Sequence, residues 1–319
     1  MRTAALRFKN QNREAAVARL CSDGVMSARN WGLLFLLALL WGSSFFFYKI
    51  LVAVLPPVTV VLGRVGIAAI AMNLWLAATG QKVPLSGGRW RRFLLLGFLN
   101  NVLPFILIAW GETRITSGMA SILNATTPIF MVAVAHWGTE DEKLSWGKAA
   151  GIALGILGVM VMVGPDAFGG GSYIWGELAV VGASCAYGFG GVYSRRFKDL
   201  PPLVAATGQV SGGAVILLPL SLLVDHPWSL SAPDASVWSS LLAIALVNTA
   251  LAYFVYYRML AGAGVTYISL VTFLIPVIAL ILGAIFLEER ATVQALAGMA
   301  VIALGLAAID GRLLKLRAS

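Results

Sequence analysis

Long apolar runs separated by short polar breaks dominate the chain. The first, WGLLFLLALLWGSSFFFYKILVAV, fills residues 31–54 and stops at Pro56-Pro57. Nine more follow, at roughly 57–79, 90–111, 118–137, 146–164, 173–193, 203–224, 238–258, 265–287 and 292–311. At ~1.5 Å rise per residue, runs of about 20 residues cross the ~30 Å hydrocarbon core of a bilayer with varying tilt. The pattern predicts an all-α polytopic membrane protein with ten transmembrane helices.

The breaks between runs set a direction. With the amino terminus inside, 19 Lys or Arg fall on the inner side, from Arg2 to Arg317. Only Arg114, Arg290 and Lys49 at the end of the first span fall outside, and Arg64 lies within the second. Basic residues concentrate on the cytoplasmic side, so both termini are expected there.

The pattern also repeats. LPPVTVVLGRV (55–65) parallels LPPLVAATGQV (200–210), and SILNATTPIF (121–130) parallels SLVTFLIPVI (269–278). Trp31-Gly32 matches Trp175-Gly176, Glu140/Asp141 matches Glu288/Glu289, and Gly151 and Gly158 match Gly298 and Gly305. These matches keep their order at a nearly constant offset, which favours a duplication. The expected organisation is a polar cytoplasmic tail (1–30), a first five-helix repeat (31–164) and a second (173–313). Five is odd, so the second repeat must enter the membrane from the opposite side. Inverted repeats of this kind are a recurring design of secondary transporters.

Composition agrees with this plan. Apolar residues make up 59% of the 319 residues and charged residues 12%, against about 25% charged in soluble domains. The net charge of +9 sits between the apolar runs as a topology signal, not along a surface suited to nucleic acid. Cys21 and Cys185 fall on different sides of the hydrocarbon boundary, so no disulfide is expected. His136 and His226 are the only histidines, and no metal-ligand spacing or cofactor motif occurs. The first 25 residues are polar, and Met26 opens a stretch that reads like a natural start. The first run is too long for a signal-peptide core and is expected to be retained.

The first-span LLALLWGSSFFFYKI, the PP…GRVGIAA entering the second, and GMASILNATTPIF followed by GIALGILGVMVM carry a resemblance. So does ISLVTFLIPVIALILGAIFLEERATVQALAGMAVIALG in the second half. Together they resemble the EamA-type members of the drug/metabolite transporter superfamily over nearly all of residues 31–311. The closest likeness is to bacterial exporters of amino acids, including aromatic ones, and metabolites. The resemblance implies export from the cytoplasm through a cavity enclosed mainly by spans 3, 4, 8 and 9, with 1 and 6 contributing.

Polar residues and helix breaks at mid-depth mark the candidate site. Asn100 and Asn101 stand at the centre of span 3, with Pro104 one turn on, and Asn248 holds the related position in span 8. An amide in hydrocarbon must face protein or water. The alternatives are an interhelical hydrogen bond or a cavity wall. Pro128 and Pro276 lie near the middles of spans 4 and 9 and free the carbonyls of Asn124 and Thr272. Each is either a packing kink or a gating hinge. The repeat offset sets Trp41-Gly42-Ser43-Ser44 opposite Cys185-Ala186-Tyr187-Gly188. Trp41, Ser44 and Tyr187 belong either to a cavity face or to a packing seam.

Charge narrows the chemistry further. Lys49 can snorkel to the interface. Arg64 is expected to act as a structural anchor, since span 2 is not expected to line the cavity and its repeat partner is the neutral Gln209. All fourteen acidic residues fall in tails, loops or span ends, the nearest being Glu112, Glu177 and Asp310. That argues against carboxylate-based proton or sodium coupling. Without clustered mid-membrane cations a phosphorylated solute is disfavoured. Aromatic, Asn, Ser and Thr side chains suit a neutral or zwitterionic solute.

The sequence therefore predicts an inner-membrane exporter of amino acids or similar small metabolites, with membrane lipids and a small solute as its partners and a monomer as the working unit. Broader drug or toxic-metabolite efflux is the alternative within transport. A membrane scaffold or receptor is less well supported, because neither side carries a folded domain. An enzyme is disfavoured for want of a metal cluster, a His relay or a reactive Cys.

Overall fold

In the computed structural model, residues 28–84, 86–138, 146–163, 172–263 and 271–309 are described. The expectations for the tail around Cys21 and Met26, and for the start of the span near 265, lie outside them. The described residues are helical, with no strand among them. The helices are α1 Ala28–Val52, α2 Pro57–Ala78, α3 Gly87–Gly97, α4 Leu103–Glu112, α5 Ser117–Asn124, α6 Thr127–Gly138 and α7 Trp146–Val163. They continue with α8 Ser172–Ser194, α9 Pro202–Val224, α10 Ala235–Leu242, α11 Ala252–Ala263, α12 Val271–Phe286 and α13 Val293–Ile309.

Six stretches are long and apolar enough to cross a membrane: Arg29–Val52, Pro57–Ala78, Gly87–Glu112, Ser117–Trp137, Pro202–Val224 and Ala235–Tyr256. The other four expected spans fall on α7, α8, α12 and α13. The apolar stretches of three of them, Ala149–Val161, Leu274–Phe286 and Val293–Ala308, are shorter. In α8, Glu177 and a run of Gly, Ser and Tyr dilute the hydrocarbon. Large apolar side chains such as Phe35, Ile70, Leu74, Met160 and Ile285 point outward and exposed, an arrangement suited to lipid. Arg64, Asn101, Glu112, Gln209, Asn248 and Thr249 are turned inward and buried. The chain is a multi-pass membrane protein.

Two of the long stretches widen at their centres. A π-helical segment, Phe98–Val102, joins α3 to α4, and another, Ala243–Leu251, joins α10 to α11. In the first, Pro104 has no N–H to offer the carbonyl of Asn100, which favours a local change of pitch. In the second, Thr249 Oγ1 donates to the carbonyl of Ile244, five residues back, at 2.8 Å. Both predicted asparagine positions sit inside these segments.

The packing partners are specific. α1 lies along α12, and α8 lies along α5 and α6. α2 packs on α9, α4 on α8, α3 on α9, and the second π segment on both α1 and α2. α7 and α13 form a tight pair. Their backbones meet at glycine: a Cβ on Gly158 would lie 2.9 Å from the carbonyl of Gly298, and one on Gly305 would lie 2.7 Å from that of Gly151.

Candidate solute-binding site

The polar residues at the middle of the bundle form three bonded groups, centred on Gln209, Arg64 and Asn248. Gln209, on α9, donates from Nε2 to Asn101 Oδ1 at 2.9 Å and to the Tyr253 hydroxyl at 2.8 Å. Its Oε1 accepts from Asn100 Nδ2 at 3.2 Å. Gly190 on α8 leaves room for the Asn100 amide, which a Cβ there would overlap. The two predicted asparagines are thus brought together by a residue the sequence marked only as the neutral counterpart of Arg64.

Arg64 is buried to 5% exposure. Its Nε donates to Thr249 Oγ1 at 2.9 Å, and its guanidinium lies 3.9 Å over the Phe105 ring and 5.0 Å from that of Tyr48. Such cation–π contacts strengthen when shielded from water. No carboxylate forms an ion pair with it among the described residues. Arg64 is held by side chains at the centre of the bundle, so this residue of span 2 reaches the middle. Tyr187 joins the same group through its ring, 6.4 Å from that of Phe105.

Beside Thr249, Asn248 donates through Nδ2 to Ser43 Oγ at 2.7 Å and to the carbonyl of Leu40. It thereby ties the second π segment to the middle of α1. Ser43 makes this contact, whereas the predicted Ser44 bonds only back to the Leu40 carbonyl of its own helix at 3.4 Å. Trp41 is half-buried, its ring 5.6 Å from that of Tyr256. Gly42 faces α12: a Cβ there would lie 2.7 Å from Ile278 Cβ and 3.0 Å from the Ile275 carbonyl. Gly188 does the same toward α6, 2.9 Å from the carbonyl carbon of Phe130. Small residues at these positions let the helices touch closely.

Pro128 does more than kink its span. The helix stops at Asn124 and restarts at Thr127. The freed Asn124 carbonyl accepts from Thr127 Oγ1 at 2.8 Å and from Ser184 Oγ at 3.5 Å. Pro276 differs, standing inside the continuous α12. Thr272, one turn before it, is half-buried and has an interaction of its own. The bonds at the Asn124 carbonyl run to Thr127 and Ser184, outside the Gln209 group. Three amide atoms stay buried without a hydrogen-bond partner: Asn101 Nδ2, Asn124 Oδ1 and Asn248 Oδ1. Each such atom costs about 1–3 kcal/mol when left unpaired.

One end of the bundle is held by charged groups. Lys49 does not snorkel: its Nζ donates to the carbonyls of Glu112 at 2.7 Å and Ile115 at 2.8 Å, closing the end of α4. Glu289 accepts from Ser117 N at 2.9 Å, Ser117 Oγ at 2.7 Å and Gly118 N at 3.3 Å, at the start of α5. Asp225, at the end of α9, accepts from Thr59 N at 2.6 Å and Thr59 Oγ1 at 2.9 Å, near the start of α2. Carboxylates suit helix N-termini and ammonium suits C-termini. Among the described residues, no group of three or more His, Cys, Asp or Glu is placed to hold a metal ion.

The profile of the EamA-like transporter family matches residues 30–164 and again residues 174–309. The chain belongs to the EamA-like transporter family. Among its relatives, "Uncharacterized transporter YoaV" of Bacillus subtilis (strain 168) is 26% identical, covering 84% of this chain and 92% of that protein. "Uncharacterized inner membrane transporter YedA" of Escherichia coli (strain K12) is 26% identical over 79% of this chain and 81% of its own length. The "Probable amino-acid metabolite efflux pump" of Salmonella typhimurium (strain LT2) is 28% identical, over 88% and 94%. One crystal structure superposes with a TM-score of 0.63 at 17% identity, covering 89% of this chain and 98% of that one. It supports the fold alone.

In this EamA-like chain the sequence located the asparagines and missed their partners. Gln209 stood in view only as a repeat counterpart, and Thr249 directly follows Asn248 in the chain. Glu112 lies at a span end, as the sequence placed it, and is fully buried with both carboxyl oxygens lacking a hydrogen-bond partner.

Proposed function

We propose that this EamA-like protein is an inner-membrane secondary transporter. It exports amino acids or similar small metabolites from the cytoplasm by alternating access through a central site. The observation that carries this reading is the set of buried or half-buried polar residues at mid-bundle, Arg64, Asn100, Asn101, Gln209, Asn248 and Thr249, with an amide atom each of Asn101 and Asn248 lacking a hydrogen-bond partner. A zwitterionic solute would offer its carboxylate to Arg64 and the Asn101 amide, and its ammonium to Asn248 Oδ1 and the surrounding aromatic faces. The amino-acid metabolite pump named among the relatives agrees with that substrate class.

Ten spans in two inverted halves make the motion possible. The packing supports them: α1 against α12 corresponds to α8 against α6, and Gly42 on Ile278 corresponds to Gly188 on Phe130. Likewise Gly158 meets Gly298 while Gly151 meets Gly305. Two halves that pack on each other in exchangeable ways can swap conformations and open the site to either side. The distribution of basic residues supports cytoplasmic termini, and Pro128 and Pro276 serve as the hinge points. Counterflow of radiolabelled amino acids into proteoliposomes tests the reading. Saturable uptake of one or more amino acids is expected, and its absence for all of them removes the reading.

A further inference from the structure

The guanidinium of Arg64 is buried, and among the described residues no carboxylate forms an ion pair with it. Its hydrogen bond there runs from Nε to the neutral Thr249. The Thr249 hydroxyl spends its own proton on the Ile244 carbonyl, so its oxygen is left to accept. Glu112 lies within electrostatic reach of Arg64, but Lys49 and Glu289 act on that carboxyl more strongly than Arg64 does. A buried charge is costly until it is paired and hydrogen-bonded. Arg64 therefore keeps an unmet demand for an anion.

Unused donors gather around it. Asn101 Nδ2 and the Tyr48 hydroxyl are buried and lack a hydrogen-bond partner. The Tyr48 ring lies 5.0 Å from the guanidinium. A Cβ on Gly213 would lie 3.1 Å from Asn101 Cβ and 3.4 Å from Val65 Cγ1, so Asn101 and the residue after Arg64 meet at one point of α9. The group bonded next to Arg64 offers one unpartnered acceptor, Asn248 Oδ1, and it is uncharged. An ammonium placed here would be repelled by Arg64 at short range. The rings of Phe105 and Tyr48, which could otherwise receive it, already face the guanidinium.

We propose that the central site selects its solutes by a carboxylate, held at Arg64, Asn101 and Tyr48, and that the solute's amino group is dispensable. The inference rests on the transport reading above and redraws its substrate class. Organic carboxylates without an amino group, such as 2-oxo acids, are carried as well as amino acids, and amines without a carboxylate are not. A carboxylate neutralises the buried guanidinium and meets the donors around it. An amine adds a second positive charge beside the first and leaves those donors unpaired. Recognition of this kind discriminates strongly, because the wrong solute strands buried polar groups.

The test is competition against counterflow by the purified full-length protein in liposomes, with the amino acid that shows the strongest counterflow as tracer. The competitors are its 2-oxo acid, which lacks the amino group, and its decarboxylated amine. The 2-oxo acid is expected to inhibit nearly as well as the unlabelled amino acid, and the amine at least about tenfold more weakly. Arg64→Lys keeps the charge and loses the planar fork of donors. It is expected to bind both the amino acid and the 2-oxo acid at least about tenfold more weakly. An amine that inhibits as strongly as the 2-oxo acid, or a 2-oxo acid that does not inhibit, overturns the inference while leaving transport intact. Unchanged affinities in R64K overturn the placement of the carboxylate at Arg64. If R64K does not assemble, the comparison of the two competitors on the wild-type protein decides. No counterflow for any amino acid removes the transport reading and this inference together.

Discussion

Gln209 donates to Asn101 at 2.9 Å, and Arg64, from the related position in the first half, donates to Thr249 at the same distance. Each bond crosses from a continuous helix to a π-helical segment of a neighbour. Gln209→Leu removes the donor to Asn101 and Tyr253 and the acceptor for Asn100 together. A loss of about 1–3 kcal/mol is expected, above the ~0.6 kcal/mol average for one interhelical bond in a membrane, because two asparagine groups are stranded. Thermal unfolding in detergent measures it.

Glycine at position 42 is required by contact, and glycine at position 32 is not. Gly42→Val drives a side chain into Ile278 and the Ile275 carbonyl, and overpacking of this kind costs about 1–3 kcal/mol. Gly32 has nothing within 4 Å, so Gly32→Ala is expected to gain up to about 1 kcal/mol from helix propensity. The two melting temperatures should move in opposite directions.

Lys49 closes the carboxyl end of α4 with two short bonds to carbonyls. Lys49→Met keeps the apolar stem and deletes the charge. A loss of about 1–2 kcal/mol is expected. Faster amide exchange through the last turn of α4 should accompany it, with the centre of the helix unchanged.

Asp234 begins α10 and accepts from Val237 N and the Ser236 hydroxyl, both at 2.9 Å. These bonds, the backbone one first, hold its carboxyl below the ordinary aspartate range. A depressed value in the folded state means the cap stabilises at pH above the unfolded value, and that contribution is lost as pH falls through the folded value. Protection of the Val237 amide relative to Asp234→Ala is therefore expected at neutral pH and should vanish in strong acid. Equal protection in both proteins at neutral pH would contradict the cap.

Much of the helix plan was legible because spans need length and hydrocarbon, which a sequence displays directly. Asn100, Asn101 and Asn248 were legible as candidates for the same reason: amides in an apolar run stand out. Their partners were not, since rotation about the helix axis decides that Gln209 meets Asn101 and Arg64 meets Thr249. Glu112 was legible as a span-end residue, but its full burial was not, since that depends on the helices packed around it. Pro128 predicted a freed carbonyl correctly, but Ser184 comes from another helix, so the full break between α5 and α6 was hidden. The WGSS stretch read as either a cavity face or a seam. Gly42 packs as a seam against α12, while Ser43 bonds to Asn248 and the Trp41 ring lies tilted beside that of Tyr256.

The most direct measurement is amino-acid counterflow in proteoliposomes, comparing wild type with Asn101→Leu and Asn248→Leu. Both variants should reach the membrane at wild-type levels and lose most of the saturable flux, because the central amides that would hold the solute are gone. Undiminished flux in both would show that these asparagines only join helices, and would contradict a solute site at the middle of the bundle.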